Sequence, residues 1–75
     1  MEYLISIVDE LFNQKYSVKN NHQIEFINIV NKKLNFTYCT IDLQEKRINM
    51  YLRGVNIKSL SLSDELVEYI KLKIC

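Results

Sequence analysis

The chain has 75 residues, a formal net charge of +1 and a hydrophobic content of 48%. A chain of this length forms one domain, here residues 1–75, and buries only about 60% of the surface that its unfolded form exposes. Its many large apolar side chains are enough for one dense core without a disulfide bond or a structural metal ion. This content excludes an intrinsically disordered protein.

The amino terminus and the hydropathy pattern both argue against membrane insertion. The opening "MEYLISIVDELF" has no basic leader and no small-residue cleavage site, so it is not a usual signal peptide. No stretch approaches the roughly 18 apolar residues that cross a bilayer. We therefore expect a soluble protein of the cytoplasm with no membrane partner.

Residue usage points to the genome rather than to chemistry. The chain has no Ala, Pro or Trp, whereas Ile, Lys and Asn together supply 26 residues. Because the codons of Ala, Gly, Pro and most Arg are GC-rich, this usage indicates an AT-rich genome. A low-GC bacterium, its phage or a large DNA virus has such a genome, and we expect the protein to act in a bacterial host cell.

Charge is unevenly distributed along the chain. Residues 1–14 carry a net charge of −3, residues 15–58 of +5 and residues 59–75 of −1. A basic middle between acidic ends can serve an anionic partner or solubility alone.

The two cysteines do not predict a disulfide or a metal site. Cys39 lies in a strand-like stretch and Cys75 is 36 residues further on. That spacing matches no zinc or redox motif, so we interpret Cys39 as a small core residue in a reducing cytosol.

The first predicted element is an amphipathic helix of about three turns. Its polar side holds Ser6, Asp9 and Asn13. The residues at helical spacing on its apolar side are Tyr3, Leu4, Ile7, Val8, Leu11 and Phe12.

From Tyr16 to Leu62 the pattern changes to β-branched and aromatic residues with alternating polarity. The segments "KNNH", "NKK" and "QEK" have turn composition. We predict strands at about 23–30, 34–43 and 47–53, with "KYSVK" as a short fourth. The spacing of Phe26, Ile27, Val30 and Leu34 would also fit a helix.

The segment "SLSLSDELVEYIKLKIC" predicts a C-terminal helix. Ser61 or Ser63 can cap it, acidic residues occupy its first turn, and Lys71 and Lys73 lie in its last turn. Its apolar stripe consists of Leu62, Leu66, Val67, Ile70 and Ile74. The order predicts an α+β single domain with a helix, a three- or four-stranded antiparallel sheet and a C-terminal helix.

The stretch "RINMYLRG" contains both arginines and the only glycine of the chain. In a strand, Ile48, Met50 and Leu52 point to one face and the residues between them to the other. With a turn at "QEK" that sets Leu43 opposite Ile48, Tyr38 would face Arg53. The predicted outer face then holds Phe36, Tyr38, Arg47, Asn49, Tyr51 and Arg53.

Three interpretations of this outer face remain open. Tyrosine and arginine are typical anchors of protein interfaces, which favours a partner-binding sheet. An antiparallel sheet with helices on one side also leaves a polar outer face that needs no function. Helices on opposite faces would instead bury Phe36 and Tyr38.

Motifs for enzymatic chemistry are missing from the sequence. His22 is the only histidine and lies in the "KNNH" turn, where we interpret it as a surface residue and not as a metal ligand. No Ser or Cys has a histidine partner suggested by sequence, and one glycine cannot form a phosphate loop. We expect no enzyme, no metal and no cofactor.

Nucleic acid is the competing partner. Arg47, Arg53 and four lysines could line phosphates while Tyr38 and Tyr51 stack bases. These candidate lysines are Lys32, Lys33, Lys46 and Lys58. However, "LRGVNI" lacks the aromatics of an RNA-recognition motif, and a sequence pI near 7.7 is low for a nucleic-acid module.

One resemblance covers 17 residues at the start of the chain. The segment "YLISIVDELFNQKYSVK" resembles the start of small phage-encoded Cas9 inhibitors, the anti-CRISPR proteins, in which a helix precedes a three-stranded antiparallel sheet and further helices. The resemblance implies a phage protein that binds and blocks a host enzyme. Such inhibitors present acidic residues in place of DNA phosphates, whereas the sheet region here is net positive, and no functional residue carries over.

Two functional hypotheses follow from the sequence. The first is a non-enzymatic interaction protein, a phage or mobile-element inhibitor of a bacterial defence or host enzyme, whose partner is a host protein or nucleoprotein. The alternative is a small nucleic-acid-binding or regulatory module that uses the basic sheet region. A homodimer through an edge strand is a further predicted association.

Overall fold

A computed structural model describes residues 2–29 and 34–74. Two helices flank five strands in the order α1 (Glu2–Leu11), β1 (Tyr16–Lys19), β2 (Gln23–Ile27), β3 (Tyr38–Asp42), β4 (Arg47–Leu52), β5 (Val55–Ser61) and α2 (Asp64–Ile74). The strands form one antiparallel sheet in the order β1-β2-β3-β4-β5. The predicted α+β single domain is confirmed, but the sheet has five strands rather than three or four.

Both helices pack on the same face of the sheet. In the three central strands buried side chains alternate with outward-facing ones, although Leu52 at the end of β4 is exposed, and the buried side chains form one cluster with the apolar sides of α1 and α2. The strands contribute Ile24, Phe26, Cys39, Ile41, Ile48 and Met50, and the helices contribute Ile7, Val8, Leu11, Leu66, Val67 and Ile70. The alternative with helices on opposite faces is therefore wrong for the described part of the chain.

Each helix follows from its sequence. In α1, Val8 and Leu11 are fully buried, and the Phe12 ring packs edge-on against Tyr16 and Phe26. At the start of α2, the Ser63 hydroxyl accepts the Leu66 N–H at 3.2 Å, which confirms Ser63 as the cap.

A polar cluster joins the two helices. The Tyr69 hydroxyl donates to Asp9 Oδ1 at 2.5 Å, and the Lys73 ammonium lies 3.3 Å from the same oxygen. The hydrogen bond from Tyr69 is the main reason that the pKa of Asp9 lies below its usual value. α1 and α2 are thus tied on their solvent side as well as through the core.

Turns with left-handed backbone at their central residues set the pairing of the outer strands. Asn20 and Asn21 both have positive φ between β1 and β2, and Arg53 and Gly54 both have positive φ between β4 and β5. Positive φ at both central residues is the requirement of a type I′ turn, whose twist matches that of a hairpin.

The β3–β4 register differs from the predicted one by two residues. Asp42 is paired with Arg47, because its carboxylate accepts the N–H groups of Gln44 and Glu45 and so starts the turn at Asp42. Tyr38 therefore faces Tyr51 instead of Arg53. A shift of two residues keeps every side chain on its predicted face.

The bounds of three strands also differ from the prediction. The predicted strand at 23–30 ends at Ile27 in the structure, and Val30 lies outside the described residues. The predicted strand at 34–43 is confined to Tyr38–Asp42, and the predicted strand at 47–53 ends at Leu52. The short strand predicted at "KYSVK" is confirmed as β1.

β5 is the strand that the sequence did not predict. It pairs with β4 through a bulge in which Ile57 is the extra residue, opposite the step from Met50 to Tyr51. The Asn56 amide donates there to the carbonyls of Met50 and Lys58. Six of its seven residues are exposed. None of the helices within 2–29 and 34–74 is long and apolar enough to cross a membrane.

Candidate interaction surface

The candidate site is the face of the sheet that α1 and α2 leave uncovered, here called the open face. The cross-strand register arranges its side chains in three rows that run across β2 to β5. The first row is Ile27, Tyr38, Tyr51 and Asn56; the second is Glu25, Thr40, Asn49 and Ser59; the third is Gln23, Asp42, Arg47 and Ser61.

The first row is aromatic and apolar. The rings of Tyr38 and Tyr51 lie 5.3 Å apart with an angle of 56° between their planes. Ile27 continues the row and is 49% exposed. Partial burial raises the pKa of the Tyr38 hydroxyl above its usual value, so this ring presents a neutral hydroxyl at physiological pH. The row is an exposed aromatic and apolar strip that ends at one polar side chain, that of Asn56.

The second row is polar and internally bonded. Ser59 donates its hydroxyl to Asn49 Oδ1 at 2.7 Å, and Lys19 of β1 forms an ion pair of 2.8 Å with Glu25. A shallow depression of about 180 Å³ lies here, lined in part by Glu25, Thr40 and Asn49. These contacts fix the side chains in the middle of the open face.

The third row carries one carboxylate and one guanidinium. Backbone N–H donation from Glu45 and Gln44 lowers the pKa of Asp42, so its carboxylate is ionised at neutral pH. His22 Nδ1 lies 3.7 Å from Asp42 Oδ1. Arg47 is exposed opposite Asp42 and makes no ion pair with the described residues, which leaves its guanidinium available to a partner.

Four of the six predicted interface residues share the open face: Tyr38, Arg47, Asn49 and Tyr51. Phe36 does not, because β3 begins only at Tyr38 and the Phe36 side chain turns into the core, where it is 6% exposed. Arg53 lies in the β4–β5 turn with φ of 54°, so it sits at the end of the sheet rather than in a strand.

The predicted phosphate-binding lysines are dispersed. Lys32 and Lys33 lie outside the described residues. Lys46 forms an ion pair of 2.6 Å with Asp64 at the start of α2. Lys58 projects to the helix side, where its ammonium lies 5.1 Å from the centre of the Tyr3 ring. Neither described lysine adds positive charge to the open face beside Tyr38 and Tyr51.

The six members of the open face that lie in β2 and β5 were missed by the sequence reasoning. Glu25 and Ile27 project outward in alternation with the buried Ile24 and Phe26, and the alternation in "QIEFI" was the signal that could have found them. Ser59 lies in β5, so it could be placed on the open face only after that strand was known. His22 lies in its predicted turn, but its closeness to Asp42 depends on the β2–β3 pairing.

Nothing in residues 2–29 and 34–74 groups three or more His, Cys, Asp or Glu side chains as a metal site would. Cys39 is fully buried, as predicted, and burial raises the pKa of its thiol to about 12. The fold and surface define an open-faced α+β sandwich with a mixed aromatic and polar sheet surface. No protein-family model, no curated protein and no solved structure matches the chain.

Proposed function

We propose that the chain is a small non-enzymatic interaction protein that binds a protein of a bacterial host cell through its open face. The observation that carries this proposal is the uncovered row of Tyr38 and Tyr51 beside Arg47, which forms no ion pair with the described residues. Tyrosine and arginine supply large contact area and directed hydrogen bonds, and they are enriched among residues that dominate binding energy.

The charge of the open face favours a protein over a nucleic acid. Lys19 and Arg47 are balanced there by Glu25 and Asp42, and Lys19 is already paired with Glu25. Nucleic-acid surfaces gain most of their affinity from cations that neutralise successive phosphates. A face without net charge gains little in this way, whereas protein interfaces commonly combine both signs around an aromatic centre.

The proposed role of the complex is inhibition of a defence or host enzyme, as for a product of a phage or mobile element. The amino-terminal resemblance to anti-CRISPR proteins and the AT-rich residue usage support this role. Phosphate mimicry by the helices is not part of the proposal, because Asp9, Asp64 and Glu68 are each within 3.3 Å of a lysine of the chain.

The test compares wild type with the double variant Arg47→Ala/Tyr51→Ala. Each tagged protein is incubated with lysate of a low-GC bacterium, with and without nuclease treatment, and retained proteins are identified by mass spectrometry. Truncation of two anchor residues is expected to weaken binding by about 30-fold or more. The control Lys71→Ala/Leu72→Ala changes exposed residues of α2 and is expected to retain the partner.

A second measurement addresses inhibition. The enzyme retained by wild type is assayed with each protein at equal concentration, and only wild type and the α2 control are expected to reduce its activity. Equal retention by wild type and Arg47→Ala/Tyr51→Ala would refute the open face as the interface. Retention that nuclease treatment abolishes would favour the nucleic-acid hypothesis.

A further inference from the structure

A second surface lies along the free edge of β5, on the side of the sheet that carries the helices. β5 is the last strand of the sheet and is paired only with β4 among the described strands. It is also the longest strand, and Val55 and Ile57 are 63% and 47% exposed. A long, exposed edge is a template for the backbone of another extended segment.

An apolar depression, here called the edge groove, runs along the helix side of this strand. It has a volume of about 240 Å³ and lies between the start of α1, the segment before β3 and the inner side of β5. Its apolar wall includes Ile7, Phe36, Met50 and Ile57. The β5 bulge places Ile57 and Lys58 beside the same groove, instead of on alternate faces as in a regular strand.

The electrostatics of the edge groove are one-sided. Lys58 is the single charged side chain among the described residues that line it. Its ammonium contacts the Tyr3 ring and lies 3.5 Å from the Tyr3 hydroxyl, and it makes no ion pair with a described carboxylate. A positive group next to an apolar cleft is complementary to an extended partner segment that carries an apolar side chain and, two residues later on the same face, a carboxylate.

We propose that β5 accepts an extended segment of another protein by strand addition, with an apolar side chain in the edge groove and an acidic side chain at Lys58. A lysine on an edge strand discourages pairing with a like strand, because a second copy of β5 would bring another Lys58 to the same edge. An acidic strand removes that repulsion. This surface lies on the helix side and is independent of the open face.

The test uses a synthetic peptide, acetyl-Thr-Val-Thr-Val-Thr-Glu-Thr-amide, in which valines and glutamate share one face. It is titrated to millimolar concentration into the labelled protein, and amide shifts are followed by NMR. Shifts and slowed hydrogen exchange are expected in β5. The same peptide with lysine in place of glutamate is expected to bind about two- to fivefold more weakly, as exposed ion pairs allow.

Two charge-reversing variants show whether the preference for the glutamate peptide comes from Lys58 or from the overall charge of the protein. Lys58→Glu is expected to reverse the preference between the glutamate and lysine peptides. The control Lys15→Glu makes the same charge change beside the opposite edge strand β1 and is expected to leave the preference unchanged. Arg47→Ala/Tyr51→Ala is expected to bind the peptide as wild type does. The β5 proposal can therefore be refuted without refuting the open-face proposal, and the reverse.

Several outcomes would overturn the proposal. They are the absence of shifts in β5, a preference that Lys58→Glu does not change, and equal binding of a peptide whose backbone amides are all N-methylated. A fourth is a dimer of the free chain in analytical ultracentrifugation whose β5 amides are protected in hydrogen exchange, since a second copy would then occupy the edge.

Discussion

The position of α2 can be tested by placing the same substitution at two sites of that helix. Leu66 is 1% exposed and packs in the core, whereas Leu72 is 76% exposed, six residues later. We expect Leu66→Asp to unfold the domain and Leu72→Asp to leave it folded. The open face exists only if α2 packs on the other side of the sheet, so this prediction tests a premise of the proposed function.

The magnitude follows from the burial of Leu66. Truncation of a buried leucine costs about 2–5 kcal/mol, and an unpaired carboxylate in the same place adds several kcal/mol. A domain of this length has a total stability of roughly 4–11 kcal/mol at the usual value per residue. Leu66→Asp therefore removes most or all of the stability. Leu72→Asp buries no charge and is expected to cost about 1 kcal/mol through helix propensity and the helix dipole.

The assay is circular dichroism at 222 nm with thermal and urea melts. Leu66→Asp should show no cooperative transition, and Leu72→Asp should melt within about 4–8 °C of wild type. If the two variants melt together, α2 does not contribute Leu66 to the core. The assignment of an open face would then fail with it.

Further predictions concern a turn, a helix contact and the buried thiol. Gly54→Ala should lower the free energy of unfolding by about 1–2 kcal/mol through its φ of 81° alone, since an added Cβ meets no atom within 4 Å. At the neighbouring position, Arg53→Asn should raise the melting temperature, because asparagine tolerates positive φ. Tyr69→Phe should lower the urea midpoint at neutral pH, because the hydrogen bond from Tyr69 lowers the pKa of Asp9 in the folded state and stabilises the fold at pH values above the pKa of Asp9 in the unfolded state. The difference from wild type should vanish as acid protonates Asp9 in both proteins. Cys39 should resist iodoacetamide at pH 8 until denaturant is added, as mapped by mass spectrometry, because its pKa is about 12.

The helices were predictable because their signals are local. Ser63 precedes two acidic residues and an apolar stripe, and the structure begins α2 at Asp64. Capping and periodicity act within a few residues, so they are visible in the sequence. The face of each side chain in β4 was predictable for the same reason.

The register and the position of Phe36 were not predictable in this way. The register depends on which residue starts the β3–β4 turn, and the Asp42 side chain decides this through two hydrogen bonds. Phe36 fits the alternation of "LNFTYCTIDL", but the strand begins two residues later. An aromatic residue outside a strand is free to rotate into the core, where burial is favourable.

β5 escaped prediction because its apolar pattern changes phase. Val55 and Ile57 occupy odd positions, whereas the inward-facing Leu60 occupies an even one. The bulge inserts Ile57 as an extra residue between Asn56 and Lys58, so no uninterrupted alternation exists to detect. The same bulge sets Ile57 and Lys58 beside one groove, which means that the feature that hid the strand also creates the second candidate surface.

The division of charge between the two surfaces also depends on tertiary pairing. The net charge of +5 between residues 15 and 58 left open an anionic partner for the sheet or a role in solubility alone. In the structure, Lys19 is paired with Glu25 on the open face and Lys46 with Asp64 beside α2, and Lys58 is the one charged side chain among the described residues that line the edge groove. A local count of charge therefore overestimates the positive potential that any one partner meets. The two proposed contacts therefore differ in chemistry: a protein surface of mixed charge at the open face and an acidic strand at the β5 edge.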